Sequence, residues 1–417
     1  MIEGTLPRER ENQLLDYLSV FFLCVFLVFS SLNFPFTSLL FLIAAVVLRL
    51  FAILHEVLDW RILAPGGAML LWVTVGLLYT PDFSEGVRFL LRLLLCLLMG
   101  YMATRSRAYM RLLIQALFAS SLLVLASVYW QLLLPDATVA LYEHIMRPNA
   151  YDAVMNAHKY FEKRPAGICG YTSTTGYLLA VLSGMAFVRT LSRLRERHFS
   201  RALLYGAVFV LSLTGIMLVS KRSLFLATIA ICVLFLLFYY TRRAGQRVAM
   251  IVALVTGIAA LLLVMHHSNT LSAFFDRLTN IENDYYSSGR LDIYPRTWAL
   301  FLQNPLLGRG SGSFIKLYGD LYGHLGGGAH NIYLQLLCEN GVPGLLLIGG
   351  FLATNLVSAI RALRRDRKND LLCFSVYGQL VFLFYGFFGN PLYDEILLCV
   401  YCLLAFIPYL REEPDHA

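Results

Sequence analysis

The chain has 417 residues, 58% of them hydrophobic and only 14% charged, against about 25% charged in soluble domains, so an ordinary water-exposed globule is excluded. Its formal charge of +8 lies mostly in short stretches between apolar blocks. That is the pattern of membrane topology rather than of a nucleic-acid-binding surface.

Met1 to Asp16 reads as a charged tail retained in the cytoplasm ahead of a signal anchor, since no small-residue cleavage site follows it. Apolar blocks then recur at about 17–34, 36–54, 62–79, 86–104, 109–134, 171–189, 202–220, 223–240, 248–265, 331–360, 371–389 and 392–410. Each is long enough to cross a hydrocarbon core of about 30 Å as a helix. They predict an all-α fold, a polytopic integral membrane bundle of about twelve transmembrane helices, with residues 1–417 as a single domain.

Arg105, Arg107 and Arg111, the Arg193–Arg201 stretch, Arg242, Arg243 and Arg247, and the Arg361–Lys368 stretch fall in alternate connections. By the positive-inside rule those connections and both termini are cytoplasmic. The same alternation places residues 135–170, the turn at Ser220–Ser223 and residues 266–330 outside, the last as a large periplasmic loop carrying short helices.

Eight cysteines are scattered, most of them in apolar segments where Cys acts as a small hydrophobe. Cys399 and Cys402 form a CxxC without a second ligand pair, and Cys169 and Cys338 both fall near the outer face, which leaves a disulfide open. No His, Cys or carboxylate group in the outer segments has convincing metal spacing; Glu282, Asp284 and Asp292 read as a solvated group, and no cofactor is expected.

Several cations stand on the side where the charge rule makes them scarce. Arg88 and Arg92 are four residues apart and share a helix face, either snorkelling to headgroups or meeting an anionic ligand. Lys221 and Arg222 occupy a turn where Gly, Pro, Asn or Ser is usual, and Arg290 follows Ser287-Ser288-Gly289 and opens an amphipathic segment with Trp298, Leu300 and Phe301. His330 precedes an apolar helix, a position open to a structural role or to general-base work. Guanidinium forks gathered with an imidazole suit a phosphate ester held at the lipid interface. The Gly308-Arg309-Gly310-Ser311-Gly312 run lacks the ending of a P-loop and reads as a loop bend.

The segment Ala329-His330-Asn331-Ile332-Tyr333-Leu334-Gln335 through Glu339-Asn340-Gly341-Val342-Pro343-Gly344 resembles the signature of the O-antigen ligase and O-antigen polymerase superfamily of lipid-linked glycan transferases. Ser220-Lys221-Arg222-Ser223, Gly289-Arg290 and Asn304-Pro305-Leu306-Leu307-Gly308-Arg309-Gly310 follow that family's order, so the similarity covers about residues 205–350, including the loop 266–330. Arg164-Pro165-Ala166-Gly167 is a weaker match. Lys221 departs from the small or polar residue more usual in relatives.

The resemblance implies a multi-pass protein of the bacterial inner membrane with a periplasmic active site. It implies an inverting, metal-independent glycosyltransferase using an undecaprenyl-diphosphate-linked glycan as donor. Arg222 and Arg290 would engage the diphosphate and His330 the acceptor hydroxyl. Lys221, Arg88, Arg92, Arg164, Asn331 and Tyr333 are the further candidate contacts to diphosphate and glycan. The expected function is that of an O-antigen ligase, with lipid A-core as acceptor in lipopolysaccharide biosynthesis. The alternative is an O-antigen or exopolysaccharide polymerase that lengthens a lipid-linked glycan. A lipid-linked sugar flippase is less favoured, because no inverted repeat is visible. Expected partners are these lipid-linked glycans and membrane lipids, and no nucleic acid.

Overall fold

The computed structural model describes residues 6–32, 39–53, 59–160, 165–240, 245, 285–323 and 328–410, and no strand occurs among them. The helices are α1 (Leu6–Leu32), α2 (Leu39–Ile53), α3 (Trp60–Gly76), α4 (Phe83–Ala103) and α5 (Arg107–Leu133). They continue with α6 (Pro135–Ile145), α7 (Pro148–Tyr160), α8 (Thr172–Arg195), α9 (Phe199–Leu218) and α10 (Arg222–Leu234), which winds on through a wider turn to Tyr240. The last are α11 (Tyr285–Leu302), α12 (Phe314–Tyr322), α13 (Ile332–Arg365), α14 (Asp370–Tyr385) and α15 (Glu395–Ala405).

Each expected apolar block falls on one of these helices, except 248–265, which lies outside the described residues. Among the described residues five helices are long and apolar enough to cross a membrane: α4, α5, α8, α9 and α13. The other apolar helices are shorter.

α8 is the axis of the packing. Its stretch from Thr174 to Val188 is buried throughout and rich in small residues, which lets α5, α9, α10, α14 and α15 approach it closely. At one end of the bundle α8 runs out toward Arg193 and Arg195, α13 ends on Arg364 and Arg365, and Arg189 stands 4.0 Å from Asp370 at the start of α14. The opposite end gathers the starts of α4, α8, α10, α13 and α15 with the exit of α14. There Thr174 Oγ1 donates to Asp394 at 3.0 Å, Arg92 Nη1 donates to the Tyr393 carbonyl at 3.3 Å, and Ile332 N donates to the Gly386 carbonyl at 2.8 Å.

The long polar connections contain helices with small cores of their own. Val139, Tyr142, Met146 and Val154 of α6, α7 and their junction close on Ala166. Ile293, Leu300, Phe314 and Tyr318 of α11 and α12 close on Ala329 and Cys338. That division separates Cys338 from Cys169, which packs in the main core; both are free thiols. Cys399 and Cys402 are free and fully buried, with Cys399 Sγ against Met99 Sδ at 3.1 Å, so the CxxC is part of the apolar packing.

α13 is broken rather than straight. Gly341 has φ +66°, and Pro343 follows two residues later. The break leaves the Cys338, Glu339 and Asn340 carbonyls to partners outside the helix: Arg309 N at 2.9 Å, Gly310 N at 2.8 Å and Trp72 Nε1 at 2.9 Å. Gly308 fits there because a side chain would strike the Glu339 carbonyl, and its own φ is +72°. The glycine run 308–312 is therefore a loop bend fitted into a helix break, as its sequence suggests.

Candidate active site

His330 sits immediately before α13 with φ +54°, a left-handed conformation that costs a non-glycine residue about 1–3 kcal/mol. Its neighbours hold it there. Ala329 N donates to Gln335 Oε1 at 3.0 Å, the Tyr294 hydroxyl donates to the His330 carbonyl at 3.2 Å, and Ile332 N is anchored to α14. Asn331 is the N-cap of α13, its side-chain oxygen accepting from Tyr333 N at 3.0 Å and Leu334 N at 3.1 Å.

The imidazole is partly buried. Burial first, then the charges of Arg290 and Lys221, lower its pKa to about 4, from an ordinary value near 6.5. His330 is thus a neutral ring near neutral pH, with two cations close enough to act on it.

Arg290 lies near the start of α11, so the preceding serines and glycine form the first helical turn rather than a loop. Its Nη2 donates to the Phe388 carbonyl at 3.1 Å, just beyond the exit of α14. Among the described residues no carboxylate forms an ion pair with it. One turn later, Tyr294 reaches the Phe387 carbonyl at 3.2 Å as well as that of His330.

The turn between α9 and α10 is made by Val219 and Ser220, and Lys221 and Arg222 follow it at the start of α10. Ser220 takes φ +60°, its N donates to the Met217 carbonyl at 2.8 Å, and Lys221 N donates to the Ile216 carbonyl at 3.2 Å, which closes the α9 carboxyl end in a Schellman arrangement. Lys221 then caps α10, and its stem crosses Gly176 of α8, where a Cβ would lie 2.7 Å from the lysine Cγ. Arg222 follows as the first residue of α10 and is partly buried. Of this pair, Lys221 is the one whose charge reaches His330.

The remaining candidates divide. Tyr333 commits its hydroxyl to the Leu383 carbonyl at 2.8 Å and packs its ring, tilted, with its centroid 4.6 Å from that of Phe387, and the Asn331 oxygen is used for capping. Arg88 and Arg92 do share a face, and both reach Glu85, at 3.1 and 3.2 Å. Arg88 is 63% exposed, whereas Arg92 is partly buried against Tyr393. Arg164 lies outside the described residues; the Pro165–Gly167 segment after it hooks onto α5 through Gly167 N and Gln131 Oε1 at 2.9 Å.

Sequence reasoning gave no role to Glu339 or Tyr294. Glu339 is buried and accepts from Gly312 N at 3.0 Å, Phe314 N at 3.2 Å, Gln335 Nε2 at 3.1 Å and the Tyr393 hydroxyl at 2.7 Å. Through Gln335 it supports the peptide ahead of His330; through the two amides it holds the glycine loop. A glutamate inside an apolar helix was the available signal. For Tyr294 the signal was its spacing of four from Arg290 on one helix face.

A neutral imidazole beside a guanidinium and an ammonium can accept a proton from a hydroxyl while the cations neutralise a departing anion. Residues 207–349 match the family model described as O-antigen ligase. That stretch contains Lys221, Arg222, Arg290, Tyr294, His330 and Glu339, and it bears out the resemblance to the O-antigen ligase and polymerase superfamily. No curated protein matches the chain.

Proposed function

We propose that this chain is an inverting, metal-independent glycosyltransferase of the bacterial inner membrane that transfers a glycan from undecaprenyl diphosphate to lipid A-core. Its site would face the periplasm and both termini the cytoplasm. The observation that carries the reading is the partly buried His330, held left-handed at the end of the bundle opposite the arginine-rich connections and within reach of the charges of Arg290 and Lys221.

In this reaction the acceptor oxygen attacks the anomeric carbon from the face opposite the diphosphate. The new glycosidic bond forms as the bond to the phosphate oxygen breaks, and the electron pair leaves with the diphosphate. The hydroxyl proton passes to His330. Arg290, Arg222 and Lys221 stabilise the growing negative charge, the two guanidiniums as planar forks and the ammonium as a point charge.

The test is transfer in vitro by the purified chain, with an undecaprenyl-diphosphate-linked glycan and lipid A-core supplied together and separately. Glycan on lipid A-core is the expected product, lost in His330→Ala. Lengthening of the lipid-linked glycan without lipid A-core would assign the polymerase reaction instead. Wild-type transfer by His330→Ala would reject the site.

A further inference from the structure

α11 meets the rest of the site through two side chains one turn apart on the same face. Arg290 donates to the Phe388 carbonyl at 3.1 Å, and the single hydroxyl proton of Tyr294 is shared between the Phe387 and His330 carbonyls, each 3.2 Å away. Tyr294 is half-buried.

We propose that Tyr294 is a positioning residue, which locks the left-handed peptide of His330 and sets the imidazole in register with the Arg290 guanidinium on its own helix. This rests on the reading of His330 and Arg290 as base and diphosphate ligand. The physical argument is one of strain. A non-glycine residue at φ +54° stays there only while its surroundings over-determine it. Gln335 holds the amide ahead of His330, and the Asn331 cap with the Ile332 amide holds the chain behind it. The His330 carbonyl itself is held by Tyr294. Without the hydroxyl, that peptide can rotate while both flanks stay docked. The imidazole then samples several orientations, and fewer of them face the acceptor.

The experiment uses the full chain in lipid nanodiscs and diethyl pyrocarbonate, which modifies neutral imidazole, with the rate resolved peptide by peptide over the nine histidines. Tyr294→Phe removes only the hydroxyl. Tyr318→Phe, on α12 in the same small core, is the control. The expected result is a rise of about tenfold at His330 alone in Tyr294→Phe, the equivalent of one lost hydrogen bond, with no change in Tyr318→Phe. Placing a donor back at the same atom, in Tyr294→p-aminophenylalanine, should restore the slow rate. In transfer assays Tyr294→Phe should lower kcat about tenfold and leave the donor KM unchanged. An unchanged His330 rate overturns the proposal. So does a rise at all nine histidines, which would mark a general opening. Because labelling needs no substrate, a fully active His330→Ala would reject the catalytic reading and leave the labelling result to stand on its own.

Discussion

The Tyr393 hydroxyl donates to Glu339 Oε2 at 2.7 Å, joining the turn ahead of α15 to the break in α13. Glu339 has a donor on every side, and each of the elements it ties together borders the His330 end of the bundle. Tyr393→Phe leaves Glu339 with three donors and should cost about 0.5–1.5 kcal/mol, the worth of one hydrogen bond. Glu339→Ala should cost more, because the Gly312 and Phe314 amides lose their buried acceptor. Thermal unfolding in detergent checks both. Unchanged midpoints would show that water takes over the task.

The pH profile of transfer follows from the depressed pKa of His330. With its folded value at about 4, below the ordinary value near 6.5, the neutral and proton-accepting form prevails at all higher pH. The donor kcat/KM, which reports the free protein, should therefore stay level from pH 7 down to about 5 and fall as pH drops through about 4. His330→Ala should lose about 10²- to 10⁴-fold in turnover, and His330→Gln should not restore it. A wild-type profile that falls through pH 6.5 would mean that burial and the two cations do not act on this ring in solution.

Arginines near the starts of α4 and α11 should behave differently. Arg290→Lys keeps the charge but loses the fork, and transfer should drop by about tenfold or more while insertion is unaffected; Arg222→Lys should do the same. Arg88 is mostly exposed and paired with Glu85, so Arg88→Ala should change transfer by less than about twofold. Equal losses in Arg88→Ala and Arg290→Lys would extend the diphosphate site to α4.

Topology can be read with introduced thiols, since the native cysteines are buried apart from the half-buried Cys24. Cysteine at Ser288 or Asn283 should react with a membrane-impermeant reagent from the periplasmic side, and cysteine at Asn369 should not. The reverse pattern would place the His330 end in the cytoplasm and remove the periplasmic donor from the scheme.

Much of this was written locally in the chain. Apolar runs, the cations between them and the signature around His330 are properties of neighbouring residues, so the helices and the glycine bend at 308–312 could be read before any coordinates, and Lys221, Arg222, Arg290 and His330 could be named as candidates. What lies beyond local reading depends on residues far apart in sequence. Only folding brings Tyr294 under the His330 carbonyl, Tyr393 onto Glu339, and Arg290 onto Phe388. Arg88 and Arg92 had two open readings from their spacing, and it took the rotamers of α4 to bring both onto Glu85. The left-handed His330 was equally out of reach, because histidine visits that conformation more often than most residues but still only occasionally, and nothing in the neighbouring sequence demands it. It persists only where partners from α11, α13 and α14 converge, and hydrophobic periodicity records which face of a helix is buried, not which carbonyl waits there.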